Sequence, residues 1–303
     1  MDKVREETMR RSLFSICQLF GISRQAYYQY EMRQDEQSFE EHIVLQLIHA
    51  IRKKHRYMGV RKIYESIKDD LLANGIKIGR DSIFDLMWRN QLLVRRRRRY
   101  KRTTDSGHGS RVYGNLVKNQ AINKPNQLWV SDITFIPKAT NGFYYLSLVT
   151  DAHSKKILGH ELSANLQTFG PLTALSMAIN TIDSTTGLIH HSDRGSQYAS
   201  HDYTQILKQN GIQISMTKGG EPTENAIAER VNGIIKTEYL QGIAITGLEM
   251  AKELIKQSID LYNNERPHMS CSMLTPTEAH KGEQPLKRLW KGKLKNITYK
   301  STT

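Results

Sequence analysis

Three of the 30 acidic residues in this 303-residue chain stand where metal-assisted chemistry could be done. Asp132 lies inside the apolar run LWVSDITFI, flanked by Trp129, Val130, Ile133 and Phe135. A carboxylate in such a strand is costly unless it is paired or binds metal. Asp193 directly follows the apolar run GLIHH, at a predicted strand end. Glu229 sits in ENAIAERVNGIIKTEYL, where helical spacing places Asn225, Glu229, Asn232 and Lys236 on one polar stripe. Ile227, Val231, Ile234 and Ile235 form the apolar face behind it, so the helix can pack on a sheet while Glu229 and Lys236 run along an adjoining edge. Carboxylates from two strands and a helix are hard oxygen ligands suited to Mg2+ or Mn2+. Two such ions, about 3.5–4 Å apart, serve phosphoryl transfer: one activates a water or a 3′-hydroxyl, the other stabilises the leaving oxygen. Asp132, on a central strand, would bridge the two ions, with Asp193 and Glu229 each completing one site. Residue type alone does not separate such ligands from solvated acids.

The elements that must position these groups are legible from periodicity. LWVSDITFI, FYYLSLVTD and KKILGHELS read as successive strands, with Gly142 in the first connection and Ala152–Ser154 in the second. Residues 168–182 read as a helix, GLIHHSD as a fourth strand, 201–210 as a helix and IQISMT as a fifth strand. Helices follow over about 224–240 and 248–264. Strands first, then strands alternating with helices, predict an α/β domain built on a mixed five-stranded sheet. Upstream, Leu13, Ile16, Cys17 and Phe20 recur at helical spacing, Gly21 breaks the helix, and Ser23 can cap a second one bearing Arg24, Gln25, Tyr27 and Tyr28. That is a helix-turn-helix pattern with Arg24 and Gln25 as candidate DNA contacts, the alternative being an ordinary helical hairpin. Residues 41–94 predict a second helical unit of three short helices, the third capped by Asp81.

Charge indicates the partner. The formal net charge is +14, and residues 1–120 hold 25 Lys/Arg against 14 Asp/Glu, leaving 19 against 16 for the rest. Nucleic acid is the polyanion this distribution best fits. Arg95, Arg96, Arg97, Arg98 and Arg99 form an unbroken basic block, read as phosphate contacts rather than a solvated linker. No segment reaches the roughly 20 apolar residues of a membrane span, the N-terminus lacks a signal-peptide pattern, and no long basic amphipathic helix suits a membrane surface. Only Cys17 and Cys271 occur, too few and too far apart for a disulfide framework or a CxxC zinc site, so a reducing cytoplasmic setting is expected.

Asp193 and Glu229 have 35 residues between them, and Lys236 stands seven residues after Glu229. With Asp132 this resembles the DDE signature of the retroviral-integrase catalytic core. LWVSDITFI, HHSDRGSQYAS, ENAIAERVNGIIKTE and YNNERPH…LTPTEA resemble the OrfB transposases of the insertion-sequence-three family, over nearly the whole chain to about Glu278. The resemblance implies an RNase H-like core preceded by all-α helix-turn-helix DNA-binding units. It implies metal-dependent 3′-end nicking and strand transfer at terminal inverted repeats, through circular intermediates. The implied site is Asp132, Asp193 and Glu229, with two Mg2+ (or Mn2+) ions and Lys236 and Arg194 against DNA. Implied partners are double-stranded terminal-repeat and target DNA, further copies of the chain on that DNA, and an upstream-frame protein joined by frameshifting. The chain shows no sustained heptad, so it is expected to be the downstream product alone, in a bacterial cytoplasm at the nucleoid. One departure is Ser270-Cys271-Ser272, where the family pattern has a glycine; little consequence is expected.

The expected division is a helix-turn-helix segment at 1–38, a helical DNA-binding unit with basic tail at 39–102, a linker at 103–124, the catalytic core at 125–282 and a basic tail at 283–303. Asp151 ends the second strand and is read as structural. Glu224 stands five residues before Glu229, about 140° round a helix and therefore on another face; Glu221 is placed in a loop. His190 and His191 are read as packed strand histidines, the alternative being a role near the scissile phosphate. Ser196, Gln197 and Tyr198 are further candidate DNA contacts. A surface salt bridge is the alternative for Lys236. Trp129 and Phe135 are expected in the core, and Thr275–Glu278 as a helix capping box. The competing functions are a non-catalytic DNA-binding regulator and an integrase-like nuclease that cleaves without insertion.

Overall fold

The computed structural model describes residues 13–94, 112–118, 120–218, 225–282, 285–287 and 289. The arginine block 95–99, Glu221 and Glu224 lie outside them. The chain divides into two compact units, Met1–Ile51 with Ile67–Leu93, and Arg52–Ser66 with Val94–Thr303.

The first unit is helical. Helix α1 (Leu13–Leu19) ends at Gly21, whose φ of +65° is the left-handed conformation a glycine adopts cheaply. Ser23 then accepts a hydrogen bond from the Ala26 amide at 3.1 Å and starts α2. The helix capped by Ser23 and the first helix of the unit over 41–94 are expected to be separate, but α2 runs unbroken from Arg24 to Lys54. The intervening EMRQDEQSFEE loses the apolar stripe yet contains no glycine or proline, so nothing stops the helix. Helices α3 (Val60–Ala73) and α4 (Arg80–Arg89) follow, separated by Gly75 at φ +71°. The N-cap of α4 is Gly79 rather than the expected Asp81, which lies in its first turn. Val44, Ile48, Ile67, Leu71, Ile83, Leu86 and Met87 are buried here.

The second unit is built on strands β1 (Leu128–Pro137), β2 (Phe143–Asp151), β3 (Ile157–Ser163), β4 (Ile189–Ser192) and β5 (Gln213–Met216), in the order β3-β2-β1-β4-β5. The first three strands are antiparallel, and β4 and β5 add in parallel. Helices α5 (Phe169–Ile179) and α6 (His201–Gln209) cover one face over Trp129, Val149, Leu158 and Tyr203. On the other face α7 (Ala226–Ile234), its π-helical continuation Ile235–Tyr239 and α8 (Leu248–Asn264) close over Ile136, Leu146, Leu148 and Leu162. This is the RNase H-like layout: a mixed five-stranded sheet with helices on both faces. Gly159 sets how closely α5 approaches β3, since a Cβ there would lie 1.9 Å from the Ala174 carbonyl oxygen.

A short 3-10 turn (Met269–Cys271) and α9 (Pro276–Lys281) complete the unit, and Thr275 and Glu278 form the expected capping box. Ser272 and the adjacent Met273 take φ values of +55° and +68°, the left-handed region that favours glycine, and Ser272 Oγ accepts the Lys287 amide at 2.7 Å. Among the described residues no helix is long and apolar enough to cross a membrane.

Candidate active site

Asp132 is 5% exposed, on the face of β1 that meets α7. Two asparagines of α7 straddle it. Asn232 donates from Nδ2 to Asp132 Oδ2 at 2.8 Å, and Asn225, the N-cap, donates to the Ser131 carbonyl at 2.9 Å. Asn225 and Asn232 therefore face the strand and are buried, while Glu229 and Lys236 of the same stripe are half-buried. Glu229, half-buried in the first turn of α7, lies between them in sequence, and its amide donates to the Asn225 carbonyl at 3.1 Å.

Asp193 begins the loop after β4. Its Oδ1 accepts from the Gly195 amide at 2.9 Å, which turns the carboxylate back over its own loop. A Cβ at Gly195 would stand 3.0 Å from that same oxygen, so a side chain there would press on the Asp193 carboxylate. The parallel register of β1 with β4 runs through Trp129↔His190 and Val130↔His191, and Asp132 and Asp193 each stand two residues beyond its last pair. Both carboxylates act electrostatically on the Tyr198 hydroxyl. Burial first, then Tyr203 and these two charges, hold that phenol well above its ordinary pKa.

Two sequence expectations give way here. Tyr198 is 2% exposed and meets no DNA. Phe135 is 46% exposed rather than a core residue. It lies towards the far end of β1 and packs with Phe143 and Tyr145 at centroid distances of 5.8 and 5.4 Å.

The histidines are sealed in, as their strand context suggested. His190 shares its Nε2 with Ser131 Oγ at 2.8 Å and Tyr203 OH at 2.9 Å, and burial, helped by His191, pulls its pKa down to about 3. It is neutral at working pH. Asp151 is fully buried and accepts from the Asn126 amide and from the Ser154 amide and hydroxyl. Burial pushes its carboxyl up, but the hydrogen bonds from His280 and Ser154 outweigh that and hold it low. It shapes the β2–β3 turn. Arg194 donates from Nε to the Thr217 carbonyl at 2.6 Å, so part of its guanidinium ties the ends of β4 and β5 together. Lys236 is half-buried in the π-helical turn, and Arg24 and Gln25 are exposed in the first turn of α2.

Sequence reasoning missed the buried ion cluster that holds this turn. Arg266, 1% exposed, donates Nε and Nη2 to the two oxygens of Glu238 at 2.7 Å each, and Lys62 Nζ joins at 3.3 Å. Next to it, Tyr239 OH meets His55 Nδ1 at 3.0 Å. Three partners more than 20 residues away in sequence leave no local signal; the charged ERPH word was the only hint.

Among the described residues no three His, Cys, Asp or Glu side chains already converge as a closed metal cage. Mg2+ does not need one. It is held by one or two carboxylates together with waters and substrate phosphates. Asp132 in β1, Asp193 just after β4 and Glu229 in α7 are carboxylates of the hard-oxygen type such a site uses.

The sheet order and the helices on its two faces define the integrase-core class of polynucleotidyl transferases. Family models described as "Integrase core domain" match residues 122–222 and 210–276. The chain is 32% identical over 266 residues to the insertion element IS600 uncharacterized 31 kDa protein of Shigella sonnei, covering 86% of this chain and 96% of that one. It is 27% identical to the transposase InsF for insertion sequence IS3A of Escherichia coli, covering 88% and 93%. The HTLV-2 integrase catalytic core domain in complex with magnesium shares 21% identity at a TM-score of 0.42, over 52% of this chain and 97% of that one. The chain belongs to the IS3 family of insertion-sequence transposases. It is a DDE transposase enzyme.

Proposed function

We propose that this transposase nicks the 3′ ends of its insertion element at the terminal inverted repeats and transfers them to target DNA, with Asp132, Asp193 and Glu229 as the divalent-metal ligands. The observation that supports the proposal is that β1, which carries Asp132, lies parallel to β4, which leads directly into Asp193, with α7 tied to β1 by Asn225 and Asn232. Bound Mg2+ or Mn2+, two ions in the full reading, would activate the attacking oxygen and stabilise the leaving one. The chain's own groups do the positioning. Asn232 orients the Asp132 carboxylate, the Gly195 amide orients Asp193, and the π-helical turn presents Lys236 a short way along the helix from Glu229. Lys236, with one side of Arg194, is placed to meet phosphate near the cleaved bond. Arg24, Gln25 and Arg95–Arg99 serve DNA docking, within a division of labour in which residues 1–102 bind DNA and 125–282 carry out chemistry. The enzyme works as several copies on DNA in a bacterial cytoplasm, with the upstream-frame protein fused or bound to it.

The test uses labelled duplex carrying the element's ends, with MgCl2. Asp132→Asn, Asp193→Asn and Glu229→Gln should each lower nicking and joining about 100-fold or more while leaving DNA binding intact. Full activity in all three variants would remove the metal-site assignment. Nicking without joining in the wild type would make the protein a nuclease, and chelator-insensitive binding alone would make it a regulator.

A further inference from the structure

The helix that carries Glu229 does not end as it begins. From Ile235 to Tyr239 it widens into a π turn, closed by the Leu240 amide on the Ile235 carbonyl at 3.2 Å. Such turns are rare and recur at functional sites. Two side chains of this one are gripped from far along the chain. Arg266 forks onto both oxygens of Glu238 at 2.7 Å, Lys62 Nζ reaches the same carboxylate at 3.3 Å, and Tyr239 OH meets His55 Nδ1 at 3.0 Å. The Arg266 side chain is 1% exposed, and those of Lys62 and Glu238 are 12% and 13% exposed. Stability alone does not call for such a cluster, because apolar side chains of similar volume fill a buried contact as well or better. What the charges add is direction, since a two-pronged arginine fixes a carboxylate in one geometry.

The same five-residue turn carries Lys236, seven residues after Glu229. A π turn advances less per residue than an α turn, so the point where α gives way to π decides where Lys236 sits round the helix axis. Ahead of Lys236, Asn225 and Asn232 tie the helix to β1; just behind it, Glu238 and Tyr239 are gripped. We propose that Glu238 and Tyr239 are positioning residues: clamped by Arg266, Lys62 and His55, they hold the π turn in the one register that sets Lys236 against a DNA phosphate. The proposal rests on the reading of Lys236 as a phosphate contact.

The experiment is a double-mutant cycle on the full chain, read as the salt dependence of binding to duplex carrying the element's end. One variant removes the three charges together, Lys62→Met, Glu238→Leu and Arg266→Met. None of the three is then left buried without its partner, so this variant should melt at the temperature of wild type or above. In the wild-type background Lys236→Ala should lower the slope of log K against log salt by about 0.9, the share of one phosphate contact. In the charge-free background the same substitution should leave the slope unchanged, because Lys236 no longer meets the phosphate. A merely structural role for the clamp would leave the effect of that one lysine in place. An equal drop of about 0.9 in both backgrounds would therefore overturn the proposal while the reading of Lys236 stands. No drop in wild type would remove that reading and the proposal with it. Should the triple variant not fold, Tyr239→Phe, which deletes only the hydroxyl bonded to His55, takes its place. An undiminished effect of Lys236→Ala in that background overturns the proposal in the same way.

Discussion

At the scale of single residues, the site depends on amides as much as on acids. Asp132 is buried, and a buried carboxylate must be matched by donors or a cation. Asn232 supplies one such donor from the helix that carries Glu229, so one contact both orients a ligand and docks α7 on β1. Asn232→Leu keeps the volume and deletes the donor. It should cost about 1–3 kcal/mol in urea unfolding, the penalty for leaving a buried acceptor unmatched. It should also lower the rate of nicking more than the affinity for DNA, because no DNA contact is removed. A variant as stable as wild type to within about 0.5 kcal/mol would show that Asp132 finds another donor and that the asparagine is incidental. The stripe of Asn225, Glu229, Asn232 and Lys236 was readable from helical phase. That two of its members would turn inward to the strand was not, because phase gives a face and does not give the neighbour it meets.

At the scale of elements, the core helices followed the hydrophobic period because each has one buried face, and the strands, covered by helices on both sides of the sheet, stood out as nearly continuous apolar runs. The exceptions share a cause: long-range contacts decide them. The helix over 226–239 changes to π geometry just after Gly233, and Arg266, Lys62 and His55 bond the side chains of Glu238 and Tyr239 in that turn from far along the chain. Phe135 looked like core from its strand alone, yet it is 46% exposed and packs only along the sheet surface with Phe143 and Tyr145. The ion cluster has a measurable signature. Burial pushes the Glu238 carboxyl up, but Arg266 and Lys62 outweigh it and bring its pKa from 4.5 down to about 2. Because the folded pKa lies below the unfolded one, the stabilisation is fully present above about 4.5 and is lost as pH falls towards about 2. Its size is on the order of 3 kcal/mol. Glu238→Gln leaves the buried Arg266 without its counter-charge and should destabilise strongly at pH 7. The gap between wild type and variant in urea midpoint should then shrink as pH is lowered from 4.5 to 2.5, and a gap that stays constant would show that the pair carries no such linkage.

For the molecule as a whole, charge separates two jobs that the fold alone does not. The 183 residues from 121 onward are nearly balanced, 19 Lys/Arg against 16 Asp/Glu, while the first 120 carry an excess of 11. Catalysis needs local acids in the second region, and those acids would repel DNA unless the attraction came from elsewhere in the chain. On the proposed division of labour the basic excess would supply most of the sequence-independent affinity, and Arg95–Arg99 concentrate five of its charges in one stretch. Each phosphate neutralised adds about 0.9 to the slope of log K against log salt. Replacing all five arginines with glutamine should lower that slope by up to ~4, measured by anisotropy of labelled duplex between about 50 and 300 mM KCl. Binding should weaken to a similar degree on all sequences, because phosphate contacts position a protein without reading bases. An unchanged slope would mean that the arginines face solvent. A changed sequence preference at unchanged slope would mean that they read bases instead.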